Sequence, residues 1–206
     1  MMLGPPKVHE CSSCKGQVSQ PTYLSWNTIG SILWSDGKTV QPMGANDLAL
    51  LKCEHCQSLV WIDELPIIYD PREPDSSGHD NNFSEALPAS NPTLHDYLNF
   101  LSQGVSDEQV HYVRIHAWWA GNDRRRQEGS FVDLSEPETD NLLTLVSLLD
   151  ETNENERIMK AEGFRELGGF SKAQELLSTN FSKELTGIAK FLLDLVTQKN
   201  RALVKI

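Results

Sequence analysis

The chain has few cysteines, no long apolar run, and too few basic residues to balance its acids. Its 206 residues include four cysteines, and 18 Lys and Arg stand against 29 Asp and Glu, which gives a formal net charge of −11. Proteins that hold nucleic acid neutralise phosphates with clustered Lys and Arg, so this balance argues against a nucleic-acid partner. No apolar run approaches the roughly 18 residues of a transmembrane helix, which argues against a membrane partner.

Short targeting and catalytic motifs are also missing. Residues 1–10 show no basic region followed by an apolar core, the pattern of a secretory signal, so we expect a cytoplasmic protein. The sequence contains no H-E-x-x-H, no G-x-S-x-G, no Walker loop and no Gly-rich dinucleotide turn. We therefore predict no catalytic residue and favour a non-enzymatic role, while the question of enzymatic activity stays open.

The four cysteines form two Cys-x-x-Cys pairs, Cys11 with Cys14 and Cys53 with Cys56, and 38 residues separate the pairs. Thiols stay reduced in the cytoplasm, which favours a metal over disulfides. Two such turns, or knuckles, are typical of one tetrahedral structural Zn²⁺ bound by all four sulfurs. A closed four-thiolate site leaves no position for water, so it would support folding rather than catalysis. Iron in the same cage and a redox dithiol pair stay open as alternatives.

Strand-like sequence flanks both knuckles, whereas the second half of the chain reads as helical. Residues 48–51 and 59–62 are predicted strands on either side of the second knuckle, and Asp36-Gly37 between β-prone runs predicts a hairpin. After Pro92 the apolar period changes from 2 to 3.6. We predict an α+β fold, in which a small antiparallel β zinc ribbon is followed by an all-α helical bundle of about five to six helices.

Composition also predicts the domain boundaries. Residues 1–69 would form the ribbon, and 70–92, rich in Pro, Asp, Ser, Asn and Gly, would be a linker. Residues 93–206 would form the helical domain. Its second helix should begin after Ser106 and is apolar on most sides, which indicates a buried central helix. Its end is expected at Gly121 and Asn122, unless the following arginines carry it further.

The most unusual stretch after the cysteines surrounds two tryptophans of that central helix. An aromatic and guanidinium surface of this kind can bind a protein partner. The alternative is a pair of core tryptophans followed by a polar helix end. Arg114 lies on the apolar side, where it needs a carboxylate, either in a structural salt bridge or as the anchor of a binding groove. The candidate partner-binding residues are Arg114, Trp118, Trp119, Asn122 and Arg125.

Two resemblances add to this interpretation. Residues 154–178, with Ala161, Gly168, Ala173 and Leu177, resemble a single helical hairpin of a tetratricopeptide repeat, although an ordinary αα-hairpin fits as well. The cysteine pairs together with the run Leu-Trp-Ser-Asp-Gly-Lys at 33–38 and Ala-Trp-Trp-Ala-Gly-Asn-Asp at 117–123 are similar to a bacterial zinc-ribbon family of uncharacterised activity. That resemblance implies an architecture, a ribbon with a helical C-terminal region, and no chemistry.

Three functions are compatible with the sequence. The preferred hypothesis is a non-enzymatic zinc-binding adaptor or protein-interaction module. A nucleic-acid-associated zinc-ribbon factor would use the basic run Arg124, Arg125 and Arg126, against the acidic balance of the chain. An enzyme of unfamiliar type would have its site at the ribbon–helix junction near Trp118 and Arg114.

Overall fold

The computed structural model describes residues 1–44, 49–73, 83, 85–128 and 132–206. In these ranges, small and mainly antiparallel sheets in the N-terminal part are followed by six helices, which confirms the α+β fold class. None of the helices in the described ranges combines the length and apolarity needed to cross a bilayer.

The chain forms two compact units. Unit 1 contains Met1–Ser31 and Gln41–Pro92, and unit 2 contains Ile32–Val40 and Thr93–Ile206. The hairpin that carries Asp36 and Gly37 therefore belongs to the helical unit, although it lies between the two cysteine pairs in the sequence. The predicted boundaries at 69 and 92 stay a prediction, and part of the predicted linker, 74–82 and 84, lies outside the described residues.

The strands are short, two to four residues each. In chain order they are β1 (Met2–Leu3), β2 (Lys7–Glu10), β3 (Gln17–Gln20), β4 (Tyr23–Ser25), β5 (Ile32–Leu33), β6 (Thr39–Val40), β7 (Leu50–Lys52), β8 (Leu59–Trp61), β9 (Ile67–Tyr69) and β10 (Leu87–Pro88).

Two antiparallel hairpins carry the cysteine pairs of unit 1. The β2–β3 hairpin holds the first pair in its turn, and the β7–β8 hairpin holds the second. Strand β9 pairs with β2, and β10 pairs in parallel with β3, which gives the sheet order β10-β3-β2-β9. The predicted strand at 48–51 corresponds to β7, but Leu48 lies outside the described residues. The buried core between these elements is small: Cys11, Val18, Leu51, Cys53, Val60, Ile62 and Leu65.

The second helix of unit 2 begins directly after Ser106, as predicted, and capping residues mark three other helix starts. Thr93 and Ser135 each form a reciprocal capping box with the acid three residues later, and Asn153 caps a third helix start. The helices are α1 (Leu94–Ser102), α2 (Asp107–Glu128), α3 (Glu136–Leu148), α4 (Glu154–Glu166), α5 (Phe170–Leu177) and α6 (Thr186–Thr197).

Helix α2 does not end at Gly121 and Asn122 but continues to Glu128. The glycine has a different role from a helix stop. A Cβ atom at Gly121 would lie 2.7 Å from Oε1 of Glu138, so the missing side chain lets the first turn of α3 approach α2. The alternative in which the arginine run extends the helix is therefore the correct one.

Two apolar clusters stabilise unit 2. One lies between α4, α5 and α6 and the other between α2 and α3. Ala161 and Ala173 are fully buried, which lets α4 and α5 approach closely, and Gly168 adopts a positive φ of 81° at the turn between them. At the Asp36-Gly37 turn, Gly37 likewise has a φ of +83°, and β5 pairs with β6 as the sequence predicts.

Candidate metal centre and a buried ionic cluster

The two cysteine turns of unit 1 have the same backbone geometry. In the first, the N–H of Lys15 donates to the carbonyl of Cys11, and Lys15 adopts a φ of 63°. In the second, the N–H of Gln57 donates to the carbonyl of Cys53, and Gln57 also has a φ of 63°. The repeated turn directs both sulfurs of each pair to one side, which is the arrangement of a metal knuckle.

Gly16 has a steric role rather than the expected conformational one. The sequence predicts that Gly16 supplies the positive φ of the first turn, but that conformation occurs one residue earlier, at Lys15. A Cβ at Gly16 would lie 2.6 Å from Cδ2 of His55, whose Nε2 lies 2.9 Å from the carbonyl oxygen of Gln17. Gly16 is therefore the position where the His55 ring, which belongs to the second knuckle, lies against the backbone of the first knuckle.

The four sulfurs converge on one point. The Sγ atoms of Cys11, Cys14, Cys53 and Cys56 all lie within 4.8 Å of one another, and the cross-knuckle distances are 3.8 Å from Cys11 to Cys56 and 3.9 Å from Cys14 to Cys53. A disulfide would need about 2.05 Å, and all four cysteines are free. Sulfurs at the corners of a tetrahedron with a metal–sulfur bond of about 2.3 Å are about 3.8 Å apart, so the four cysteines fit one tetrahedral metal ion.

The surroundings of Cys53 and Cys56 shift the pKa values of these two thiols in opposite directions. Burial raises the pKa of Cys53 to about 12, whereas hydrogen bonds, chiefly from the Ser58 side chain, lower the pKa of Cys56 to about 6. Thiols must lose their protons to bind a metal, so a cation at this point would overcome the burial cost at Cys53. Cys11 and Cys53 are fully buried, whereas Cys14 is exposed.

In unit 2, the conspicuous feature is a buried cluster of charged and polar groups rather than an open aromatic surface. Trp118 is 4% exposed, and its Nε1 donates to Glu166 at 3.1 Å. Asn122 is fully buried, and its amide donates to both carboxylate oxygens of Glu166 and to Oδ2 of Asp36. Trp119 donates its indole N–H to the backbone carbonyl of Asp36 at 3.0 Å.

Each arginine of the run 124–126 lies next to a carboxylate of the chain. Arg125 makes a bidentate pair with Glu138 at 2.7 and 3.0 Å. Burial alone would raise the pKa of Glu138, but the hydrogen bonds from Arg125 and Ser135 outweigh it and lower that pKa. Arg126 bridges Asp36 and Asp123, and the exposed Arg124 lies 3.5 Å from Glu128. Each of the three guanidinium groups therefore has an acidic neighbour within the chain.

The hairpin β5–β6 attaches to the helices through this cluster. Besides the contacts of Asp36, Lys38 forms an ion pair with Asp123 at 2.7 Å. The backbone N–H of Ser35 donates to the carbonyl of Val204, and Trp34 forms an isolated β-bridge with Lys205. The C-terminal stretch after α6 thus pairs with the hairpin through an isolated bridge and backbone hydrogen bonds.

Glu162, Arg165 and Glu166 belong to the cluster and were not singled out by the sequence. Arg165 is fully buried and makes a bidentate pair with Glu162 at 2.6 and 2.7 Å, and its Nη1 also donates to the carbonyl of Asn200. The signal was present, because Ile158, Ala161 and Arg165 follow the spacing of an apolar stripe. Here the charge at the stripe position, Arg165, forms a buried ion pair with Glu162.

Of the residues predicted to bind a partner, Trp118, Asn122 and Arg125 are buried within unit 2, and Trp119 contacts the hairpin. Arg114 lies elsewhere on α2 and contacts Asn141. The structure thus brings Trp118, Trp119, Asn122 and Arg125 into one polar cluster and leaves Arg114 outside it. The role of these five residues in partner binding stays a prediction.

Comparison of the chain with protein-family models, with curated proteins and with solved structures found no match.

Proposed function

We propose that this protein is a cytoplasmic zinc-binding adaptor, in which one structural Zn²⁺ stabilises a zinc ribbon in unit 1 and the helices of unit 2 bind a protein partner. The observation that carries the proposal is the convergence of four cysteine sulfurs within 4.8 Å of one another. Four thiolates complete the tetrahedral shell that zinc prefers and leave no position for a reacting water. The metal therefore contributes to folding, and its chemistry is the binding of four sulfurs.

The metal assignment is tested by elemental analysis of the purified full chain. We expect about one zinc per chain, and about none in Cys53→Ser, because three thiolates bind zinc more weakly and a serine hydroxyl is a poor ligand. Ser13→Ala is the matched control, since Ser13 is exposed between Cys11 and Cys14 and offers no sulfur. Zinc retained at full stoichiometry by Cys53→Ser, or iron in the wild type, contradicts the assignment.

The adaptor role is supported by the absence of a catalytic motif and by the α4–α5 hairpin, whose closely packed alanines resemble those of helical repeat proteins. It is tested by affinity purification of the full chain, followed by reconstitution of the complex from purified components and isothermal titration calorimetry. We expect a stoichiometric protein complex. Turnover of a substrate, combined with no stable complex, would replace this proposal by an enzymatic one.

The nucleic-acid alternative receives less support. Arg124, Arg125 and Arg126 all have carboxylate neighbours, and a phosphate would have to displace them. A gel-shift at low salt distinguishes the two functions, because electrostatic binding to phosphates is strongest there. Binding that is lost in Arg125→Ala would favour the nucleic-acid function over the adaptor.

A further inference from the structure

A groove on unit 2 lies where α1, α2 and α3 meet. Its volume is about 290 Å³, near the lower end of ligand-binding pockets. The groove opens to solvent on its α3 side, where Pro137 and Asp140 are exposed. The lining residues are Leu98 and Leu101 of α1, Arg114 of α2, and Pro137, Asp140 and Asn141 of α3.

Arg114 in this groove has an incomplete set of partners. Its Nη1 donates to Oδ1 of Asn141 at 3.1 Å, and the Asn141 amide donates back to the carbonyl of Arg114 at 3.0 Å. Its Nε is buried and has no hydrogen-bond partner. Across the described ranges, no ion pair of Arg114 with a carboxylate occurs within 4.0 Å. Burial lowers the pKa of Arg114, and no neighbouring acid offsets this effect.

Arg114 is half-buried, and the lack of a carboxylate neighbour distinguishes it from three arginines of unit 2 whose guanidinium groups are buried. Arg125, Arg126 and Arg165 each contact a carboxylate of the chain. Removing a guanidinium from water without a counter-charge is costly, and a buried donor without a partner adds to the cost. The sequence predicts a salt bridge or an anionic anchor at Arg114, and the absence of the salt bridge among the described residues favours the anchor.

We propose that this groove binds a carboxylate-bearing, apolar segment of a partner protein. Arg114 receives the carboxylate, and Leu98 and Leu101 receive the neighbouring apolar side chain. The proposal rests on the adaptor function and names the chemistry of the partner. Asn141 positions the guanidinium, because it accepts a hydrogen bond from the Arg114 side chain and donates one to the Arg114 backbone carbonyl.

A peptide segment fits the groove better than a small metabolite. Pockets for small molecules bury 70–90% of their ligand, whereas Pro137 and Asp140 lie exposed at the edge of this groove. One turn after Asp140, on the same face of α3, Leu143 is 50% exposed, so the apolar surface continues beyond the groove. The start of α3 supplies no additional anion site, because Ser135 and Glu138 already cap it.

The charges around Arg114 allow a sharp test of charge complementarity. Asp140 is the acid that lines the groove, and its exposed carboxylate should weaken the binding of an anionic segment, although solvent screens the effect. Removing the Asp140 charge should therefore strengthen binding. Because the side chain is exposed, this change leaves the fold intact.

The experiment measures fluorescence anisotropy of labelled peptides with the full chain at low and at physiological salt. The probe is a pool of octapeptides made of Leu and Glu, and the matched pool replaces Glu by Gln. We expect the acidic pool to bind more tightly, Arg114→Gln to reduce its affinity about tenfold or more, and Asp140→Asn to raise it about twofold. Arg124→Gln, an exposed arginine on the same helix, is the control and should leave the affinity unchanged.

Three results would overturn the proposal: equal binding of the two pools, unchanged affinity in Arg114→Gln, or no gain in Asp140→Asn. If Arg114→Gln unfolds, as circular dichroism would reveal, the Asp140→Asn result decides. A reconstituted partner complex that is insensitive to both substitutions leaves the adaptor function in place and removes this groove from it. Failure to form any partner complex removes the adaptor function itself.

Discussion

At the scale of single residues, two glycines are explained by close contacts between segments, whereas their sequence context suggests a turn conformation or a helix end. Gly16 and Gly121 both occupy sites where a side chain would collide with a neighbouring group, His55 in one case and Glu138 in the other. Both glycines have ordinary backbone conformations, since neither is among the positive-φ residues. At both positions the absence of a Cβ atom lets two segments of the chain approach each other closely.

Gly16→Ala should weaken metal binding, because the new Cβ would force His55 and the second knuckle away from the first. Overpacking of this kind costs about 1–3 kcal/mol, and competition with a chromogenic zinc chelator measures it. Gly187→Ala is the control, since nothing lies within 4 Å of its Cβ position. Unchanged affinity in Gly16→Ala, or no recovery when His55→Ala is added, would show that this contact does not matter.

Glu166 makes the stability of unit 2 dependent on pH. Burial, followed by the charges of Glu162 and Asp36, raises its pKa to about 8. The native state therefore holds a proton that the unfolded state releases above about pH 4.5, the ordinary value. This contribution to stability is complete below pH 4.5, decreases as the pH rises, and levels off above pH 8.

Comparison with Glu166→Gln isolates this effect. The free energy of unfolding of the variant minus that of the wild type should increase with pH by up to about 1.4 kcal/mol per unit between pH 4.5 and 8. Urea unfolding at several pH values measures it. Burial lowers the pKa of His116 to about 4, so His116 changes the stability with pH in the opposite direction. Because wild type and variant share this contribution, it cancels in the difference between their free energies of unfolding. A difference that does not vary with pH would show that Glu166 is ionised in the native state.

At the scale of secondary-structure elements, buried ionic and hydrogen-bonding groups attach the β5–β6 hairpin to the helices of unit 2. Asp36 receives hydrogen bonds from the side chains of Asn122 and Arg126 and, on its carbonyl, from Trp119. Asp36 and Arg126 have side chains that are 0% and 5% exposed. A buried pair of this kind is costly to break, since it leaves a charge without a partner.

Asp36→Asn should destabilise unit 2 by about 3–5 kcal/mol and release the hairpin. The release is visible as faster hydrogen exchange of the amides of Trp34, Ser35 and Ile206, all of which donate to backbone carbonyls. Asp123→Asn is the matched control, because Asp123 contacts the same Arg126 but is 46% exposed. We expect its cost to stay below about 1 kcal/mol. Equal effects of the two substitutions would contradict this account.

At the scale of the whole molecule, the two units differ in what stabilises them. Among the residues of unit 1 that the structure describes, the apolar cluster contains two of the four cysteines and five aliphatic residues. The described part of unit 2 has two apolar clusters, of nine and five buried residues, and unit 2 contains no cysteine. Small domains with little core usually need a metal or disulfides, so unit 1 should depend on its metal and unit 2 should not.

Removal of the metal by a strong chelator should therefore unfold unit 1 and leave the helices of unit 2 folded. Zinc binding is worth roughly 10 kcal/mol or more to such small domains. Hydrogen exchange followed by mass spectrometry should show loss of protection in β2, β3, β7 and β8 and little change in α4, α5 and α6. Full protection of the β7–β8 hairpin in chelator would show that unit 1 folds without metal.

Local patterns predicted part of this structure correctly. The cysteine pairs, the Asp36-Gly37 turn and the capping residue Ser135 each act over a few neighbouring residues, so their consequences can be read directly. The end of α2 was harder to place. Gly121 and Asn122 have the composition of a helix stop, yet both lie inside α2, where Gly121 leaves room for Glu138 and Asn122 donates to Asp36.

The sequence by itself indicated the four cysteines whose sulfurs converge and the α+β class, because spacing and periodicity are local properties of a chain. Only the tertiary structure decided where the charges are neutralised. Asp36 meets Arg126 across 90 residues, and Ser35 meets Arg165 across 130. Such pairs depend on how distant elements pack, so neither partner carries a local sign of the other.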